Sequence, residues 1–242
     1  MLFSGHIDGI GPLEITRLDL GSLTVPPNTP MGGQTLPVYA YLVSRPDGLV
    51  LFDTGLGSEH QAFDRSLKPL RRSLEDALAG SHVLPADIQY VVNCHLHYDH
   101  AGGNTLFTAT PIFVQAREYE ARSRLDYFIP ERFDFPGVDL RIVQGETAIL
   151  PGIRVVPTPG HTPGHQSLVI EERSGPLILA GQAAYTAAEF NAPERAPARG
   201  FKTASNPREF LASIRYLREL KPQRVYFSHD AQPWEPGTIA AS

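Results

Sequence analysis

The apolar runs of this chain are short, and five of them end in a histidine, an aspartate or a glutamine. LVLF (49–52) leads into Asp53-Thr54-Gly55, and IQYVVN (88–93) leads into Cys94-His95-Leu96-His97-Tyr98-Asp99-His100. IRVV (153–156) leads into PTPGHTPGH, which carries His161 and His165. LILAG (177–181) leads into Gln182, and VYFS (225–228) into His229-Asp230. Runs this short, apolar and often β-branched read as buried strands. If such strands lie side by side, their ends line one edge of a sheet and the polar groups converge there. A rigid scaffold presents loop-borne chemistry at such an edge.

The rest of the chain supplies partners for these strands. Leu36 to Ser44 and LVLF flank Pro46-Asp47-Gly48, a turn signal, which predicts a hairpin. Ile112 to Gln115 and Ser167 to Ile170 are further strand candidates. Leu67, Leu70, Leu74, Ala77 and Leu78 form one apolar stripe with Gly80 after it, which predicts a helix starting near Pro69. A second helix is predicted from Asn206, with Asn206 as N-cap, Pro207 first and Glu209 as the reciprocal capping partner. Phe210, Ile214 and Leu217 share its buried face and Pro222 stops it. A shorter helix is expected near Ala116 to Arg124. Strands mixed with helices in this order give an α/β (α+β) fold, a sandwich of sheets covered by helices. The 22 prolines and 21 glycines are spread along the chain, so one domain over 1–242 is the economical reading.

Charge and cysteine content exclude several functions. Lys+Arg is 21 and Asp+Glu is 26, a net charge of −5, which argues against a nucleic-acid or anionic-membrane partner. No apolar run approaches the ~20 residues of a membrane helix. The start, Met1 to His6, lacks the basic and apolar regions of a signal peptide, so a cytoplasmic location is expected. The single cysteine, Cys94, excludes an intrachain disulfide and a four-thiolate metal site.

Histidine usage points to a metal. Six of the nine histidines fall in three short segments. His95, His97, Asp99 and His100 lie within six residues, and imidazoles with a carboxylate suit zinc, iron and other first-row ions. Packing these groups together without a cation would be costly. His95 and His97 can point the same way from an extended segment, whereas Asp99 and His100 follow after the chain has turned. That geometry suits two neighbouring metals better than one. Gly102-Gly103 lets backbone pack closely beside the site, and His6, His60 and His82 are read as structural or surface residues.

The cluster His95-Leu96-His97-Tyr98-Asp99-His100 matches the HxHxDH motif of the metallo-β-lactamase superfamily. LPVYAYLV, LFDTG, HLHYDHAGGN, FVQAREYEA, PTPGHTPGHQSL, the AAYT after Gln182 and FSHD resemble, in the same order, segments of its N-acyl homoserine lactonases. The resemblance runs from about Leu36 to Asp230 and implies the αββα sandwich with a dinuclear site at one sheet edge. Carried over residue by residue, it places His95, His97 and His165 on the first metal, and Asp99, His100 and His229 on the second. By the same resemblance His161 is structural or supports a ligand, and Asp53 orients a ligand histidine. Tyr185 matches a tyrosine that hydrogen-bonds the substrate carbonyl. Zinc is the expected ion, with manganese, cobalt or iron as alternatives.

One departure stands out. The family's bridging aspartate falls at Gln182, which is neutral and one methylene longer. The second metal then binds more weakly, or hydroxide does more of the bridging, or the site is mononuclear. The expected activity, as the resemblance implies it, is hydrolysis of a small-molecule lactone, foremost an N-acyl homoserine lactone, by attack of a metal-bound hydroxide on the ring carbonyl. Asp99 would shuttle the proton to the leaving alkoxide and Tyr185 would steady the oxyanion. The Pro26 to Gly33 stretch reads equally as a loop over the cleft, with Met31 touching an acyl chain, or as an ordinary connector. The rivals are a hydrolase of another ester, a thioester or a phosphodiester, a di-iron redox protein, and a non-catalytic binder. A phosphodiesterase would want a basic patch, for which Arg117, Arg122 and Arg124 are candidates. The sequence gives no oligomeric state.

Overall fold

The computed structural model describes residues 12–29, 31–124, 128–194 and 204–237. Met1 to His6, including His6, and Pro30 of the 26–33 stretch lie outside the described residues. Two sheets stack face to face. The first has the order β4-β1-β2-β3-β5-β6-β7 and the second β13-β12-β11-β10-β9-β8. In the first sheet β1 is Glu14–Thr24, β2 Thr35–Arg45, β3 Gly48–Phe52, β4 Leu70–Arg71, β5 Tyr90–Val92, β6 Pro111–Gln115 and β7 Asp139–Val143. In the second β8 is Thr147–Leu150, β9 Ile153–Pro157, β10 Gln166–Ile170, β11 Leu177–Leu179, β12 Arg224–Phe227 and β13 Asp230–Trp234.

Alternation along the strands builds the layers, because successive side chains point to opposite faces. Tyr39, Tyr41 and Val43 of β2 face the second sheet, while Val38, Ala40 and Leu42 face outward. Between the sheets, Val50, Phe52 and Val92 meet Ile153, Val155, Leu168, Ile170 and Leu179. The outer face of the first sheet is covered by α1 (Gln61–Leu67) and α2 (Leu74–Ala79), which bury Leu67, Leu74 and Leu78. The outer face of the second is covered by α5 (Ala187–Asn191) and α6 (Pro207–Glu219). Phe190, Phe210, Ile214 and Leu217 there pack on Val156, Val169, Ile178 and Val225. The architecture is the αββα sandwich. Two short helices, α3 (Tyr98–Ala101) and α4 (Ala116–Ala121), follow β5 and β6.

The expected hairpin is present, with Arg45 paired to Gly48 across the Pro46-Asp47 turn. The predicted helix through Leu67 to Leu78 is not one helix. α1 ends at Leu67, with Lys68 in the left-handed region at φ 41°, and Leu70–Arg71 pair with Ser22–Gly21 of β1. Pro69 has no N–H to continue the helix. Leu70, counted in the apolar stripe, is 61% exposed. Ser73 starts α2 afresh by accepting a hydrogen bond from the Asp76 N–H at 3.1 Å, and Gly80 closes it.

α6 begins where expected. Asn206 Oδ1 accepts from the backbone N–H groups of Arg208 and Glu209 at 3.2 and 3.3 Å. The reciprocal bond from Glu209 is replaced: the Asn206 N–H donates to Gly160 O at 2.9 Å, and the Glu209 carboxylate takes Arg117 at 3.2 Å. The cap therefore ties α6 to the loop that carries His161. Asn206→Ala is expected to cost about 1 kcal/mol of stability, read by urea denaturation, with an unchanged midpoint counting against the cap.

Strand direction explains the convergence of polar ends. β3, β5, β6 and β7 run parallel, and β11 runs parallel to β12. β9 and β11 both run antiparallel to β10, so β9 shares the direction of β11. A backbone bond from Tyr39 N–H to Ser228 O at 2.9 Å joins the two sheets beside that edge.

Candidate metal centre

Five loops at this edge supply the site. Asp53 follows β3, and the segment from Cys94 to His100 follows β5. His161 and His165 follow β9, Gln182 follows β11, and His229 follows β12. His97 stands at the N-cap of α3, so His95 and His97 project before the turn while Asp99 and His100 sit within it. Gly102 is required behind them: a Cβ there would lie 2.2 Å from Leu56 O.

The side chains gather into two adjacent trios. His95, His97 and His161 each offer a ligand atom within 4.8 Å of the others, as do Asp99, His100 and His229. The ring of His95 lies between them, its centroid 4.5 Å from that of His97, 4.7 Å from His161 and 4.2 Å from His100. Asp99 Oδ2 is 3.4 Å from His100 Nε2 and 3.6 Å from His229 Nε2.

The structure differs from the sequence reading over the two PGH histidines. His161, read from the sequence as structural or supporting, joins His95 and His97, with its Nε2 3.3 Å from His97 Nδ1. His165 has both ring nitrogens engaged elsewhere. Its Nε2 accepts the Gln182 backbone N–H at 2.9 Å, and its Nδ1 faces Thr158 Oγ1 at 2.9 Å. An imidazole nitrogen that accepts a backbone proton has spent the lone pair a metal would need. His165 is also grouped with Cys94 and His95, but that group uses the same occupied ring. The reason for the exchange is local. Gly181 sits at φ 60°, and a Cβ there would come within 2.8 Å of His165 Nε2, so His165 is packed beneath the Gln182 turn.

Other contacts set proton positions on the rings. His100 Nδ1 donates to Asp53 Oδ2 at 2.8 Å, the orienting contact expected of Asp53. His229 Nδ1 donates to Pro37 O at 2.7 Å. Both rings then turn an unprotonated Nε2 toward Asp99 in their neutral form. His95 Nε2, His100 Nε2, His161 Nδ1, His229 Nε2 and Gln182 Oε1 are all buried without a hydrogen-bond partner.

These orphaned atoms test whether a metal fits. Three of these imidazole nitrogens, His95 Nε2, His100 Nε2 and His229 Nε2, and the amide oxygen are costly to bury without partners unless a cation completes them, while His161 meets His97 through its Nε2. Two nitrogens bound tetrahedrally to one zinc at ~2.0–2.1 Å would sit about 3.3 Å apart, as His161 Nε2 and His97 Nδ1 do. Burial lowers His97 and His229 to about 4 and holds His95 and His161 well below the usual value, so all four rings are neutral near pH 7. Neutral imidazole is the ligating form. Burial opposes charge on His100 too, but Cys94, Asp99 and Asp53 outweigh it and raise its pKa well above normal. Burial likewise disfavours ionised Asp99, and His100, His229 and His97 outweigh it, keeping the carboxyl below its usual range. The second trio therefore holds positive charge beside an ionised carboxylate. The donor set fits divalent metal.

Tyr185 spans the two trios. Its ring stacks on His229 at 5.6 Å and meets His161 edge-on at 5.8 Å. The nearby acids are used on backbone: Glu189 Oε2 accepts the Tyr185 N–H at 2.6 Å, and Asp230 accepts from Ala187 and Gln232. Neither replaces the charge absent at Gln182. Met31 is buried in the outer core of the first sheet rather than displayed over a cleft. Arg117 pairs with Glu209 and Arg122 lies over Tyr119, so these arginines form no shared patch with the site.

Glu118 had no place in the sequence reading. It is fully buried on α4 and its two oxygens accept the backbone N–H groups of Leu96 at 3.1 Å and Gly164 at 2.9 Å. It braces the His95–His97 segment against the His161–His165 loop. No spacing or motif distinguishes it from the solvated acids around it, such as Glu120.

The metallo-beta-lactamase superfamily profile matches residues 33–229. An N-acyl homoserine lactonase from a Bacillus species is 36% identical over 215 residues, covering 81% of this chain and 82% of the relative. A crystal structure of a B. thuringiensis AiiA variant with N-decanoyl-L-homoserine bound at the active site superposes with a TM-score of 0.75 at 30% identity. It covers 90% of this chain and 93% of that one. An N-acyl homoserine lactone hydrolase with its product N-hexanoyl-L-homoserine bound at the catalytic metal centre gives 0.74 at 30% identity, with the same coverage.

Proposed function

This chain belongs to the metallo-beta-lactamase superfamily, and we propose that it is a metal-dependent hydrolase opening the lactone ring of N-acyl homoserine lactones. The observation that carries this reading is the pair of buried trios with orphaned donor atoms, bridged on one side by Tyr185. The proposed ligands are His95, His97 and His161 for one ion and Asp99, His100 and His229 for the other, with Gln182 Oε1 at their margin. Zinc suits the nitrogen-rich first trio, and the carboxylate of the second suits zinc or manganese. When bound, such an ion acts as a Lewis acid toward the ring carbonyl and brings the pKa of water toward neutrality.

The chain's own groups then have defined tasks. The neutral rings of His95, His97, His161 and His229 offer nitrogen lone pairs without needing to shed a proton. Asp99, ionised between His100 and His229, is placed to take the proton lost by the attacking water and return it to the leaving alkoxide. The Tyr185 hydroxyl donates to the carbonyl oxygen as it gains charge. Glu189 fixes that tyrosine's backbone, which ties the residue just before the Thr186 cap to the first turn of α5. Among the described residues no helix is long and apolar enough to cross a membrane, and the same reading takes the protein as cytoplasmic.

Turnover of a graded series of N-acyl homoserine lactones against aliphatic esters, thioesters and phosphodiesters at fixed metal is the deciding assay. Lactones are expected to lead; a phosphodiester in first place would overturn the reading. Within it, Tyr185→Phe is expected to lower kcat by about ten- to a hundredfold with little change in metal content. Unchanged turnover would remove Tyr185 from the mechanism.

A further inference from the structure

The ligand assignment leaves Cys94 without a part, yet its side chain faces three groups of the centre. The residue is fully buried between β5 and His95. Its Sγ lies 3.1 Å from Asp53 Oδ2, 3.0 Å from His95 Nδ1 and 3.3 Å from His100 Nδ1. Asp53 Oδ1 accepts the Cys94 backbone N–H at 2.8 Å, and Ser228 Oγ donates to Oδ2, the oxygen beside the sulfur, at 3.3 Å. Gly181 leaves the space the sulfur occupies, since a Cβ there would come within 3.0 Å of Sγ.

Counting protons fixes the directions. An ionised carboxylate only accepts, and a thiol has one hydrogen to give. His100 Nδ1–H goes to Asp53 Oδ2 at 2.8 Å, shorter than its 3.3 Å approach to sulfur. The thiol hydrogen goes to Asp53 Oδ2 at 3.1 Å as well, because an acceptor-only carboxylate that close to sulfur needs a hydrogen between them. The sulfur lone pairs are then left for His95, whose Nδ1 must be the protonated nitrogen and must donate to sulfur. That leaves the lone pair of His95 on Nε2, the buried atom without a hydrogen-bond partner. Among the described residues His95 Nδ1 has no hydrogen-bond partner other than this sulfur.

We propose that Cys94 is a positioning residue that relays the Asp53 carboxylate to His95, so that one buried acid orients a nitrogen donor in each trio. His100 is held by Asp53 directly and His95 through the thiol. Carboxylates that orient ligand histidines sharpen metal affinity, and losing such a support costs about 10–100-fold. A serine at 94 would keep a donor and an acceptor on a shorter arm. An alanine would leave His95 Nδ1 with no partner and its ring free to turn. The consequence for metal binding rests on the ligand assignment proposed above; the hydrogen-bond relay does not.

The test uses the fact that the chain has one cysteine. Its S–H stretch is therefore a single infrared band in a region free of other protein absorption. In the metal-free wild-type protein the band is expected at lower frequency than that of a simple thiol in an apolar solvent, and it is expected to survive metal loading. A band at the free-thiol position overturns the relay, and loss of the band on metal loading overturns it by showing sulfur as a ligand. Competition against a chromophoric chelator gives the second arm. Cys94→Ala is expected to weaken zinc binding about 10–100-fold, with Cys94→Ser recovering most of that loss. Wild-type affinity in Cys94→Ala, or equal weakness in both variants, overturns the positioning role. If Cys94→Ala does not fold, the infrared arm on unaltered protein decides. A wild-type protein that keeps the shifted band but takes up no metal overturns the ligand assignment instead, so the two failures are distinguishable.

Discussion

His161→Ala is expected to purify with about one metal equivalent fewer than the wild-type protein and to lose at least a hundredfold in lactone turnover. His161 supplies one of three nitrogens in its trio, and removing it leaves an ion with two protein ligands there. His165→Ala is expected to behave differently. It strips a partner from the Gln182 N–H and from Thr158 Oγ1, both buried. Thr158 Oγ1 keeps Ser167 Oγ at 2.8 Å, but leaving the Gln182 N–H unpaired costs about 1–3 kcal/mol of stability, while the trio of His95, His97 and His161 stays whole. Metal content by elemental analysis and a urea melt on the two variants separate the roles. If His165→Ala lost the metal and His161→Ala kept it, the assignment drawn from ring contacts would be wrong.

The second large effect concerns Gln182. Its Oε1 is buried without a hydrogen-bond partner, and Asp99 is the sole carboxylate in the two trios. Gln182→Asp restores a carboxylate at the position where the resemblance places a bridging aspartate of the two proposed ion sites. It is expected to tighten the weaker of two metal equivalents by about ten- to a hundredfold, where each tenfold is about 1.4 kcal/mol. Stepwise zinc titration against a chelator measures this. A wild-type protein that already holds two equivalents with equal, tight affinity would show that Gln182 costs the centre nothing. A variant still limited to one equivalent would show that the missing charge is not what governs the second site.

Much of this was readable because strand ends are marked in the sequence. LVLF and IQYVVN stop where polar residues begin, and the parallel pairing of β3 with β5 then brings their ends together, as the parallel pairing of β11 with β12 does for LILAG and VYFS. The turn at Pro46-Asp47 and the Asn206 cap were legible because each depends on local backbone chemistry. Leu70 misled because it fits a helical stripe by spacing, whereas Lys68 in the left-handed region and the pairing of Leu70 with Ser22 are tertiary outcomes. His161 and His165 both follow Pro-Gly, and nothing within PGHTPGH says which ring is free. That is decided by the N–H of Gln182, 17 positions beyond His165. Glu118 was invisible for the same reason: its partners are two backbone groups, one 22 and one 46 residues away.

The spread of the donors along the chain has a consequence for how the protein matures. HxHxDH contributes four of the six proposed ligands, but His161 and His229 arrive from β9 and β12, and β12 lies inside the second sheet rather than at its rim. A growing chain that has emerged only as far as α5 has no His229 and lacks the strand that seats it beside β11. The complete centre therefore comes into being only in the last stage of assembly, when both sheets have closed on each other. Metal capture becomes a seal on a finished chain: it stabilises the folded state by mass action and gives nothing to a fragment. Chains released early would remain unsealed and exposed to proteolysis.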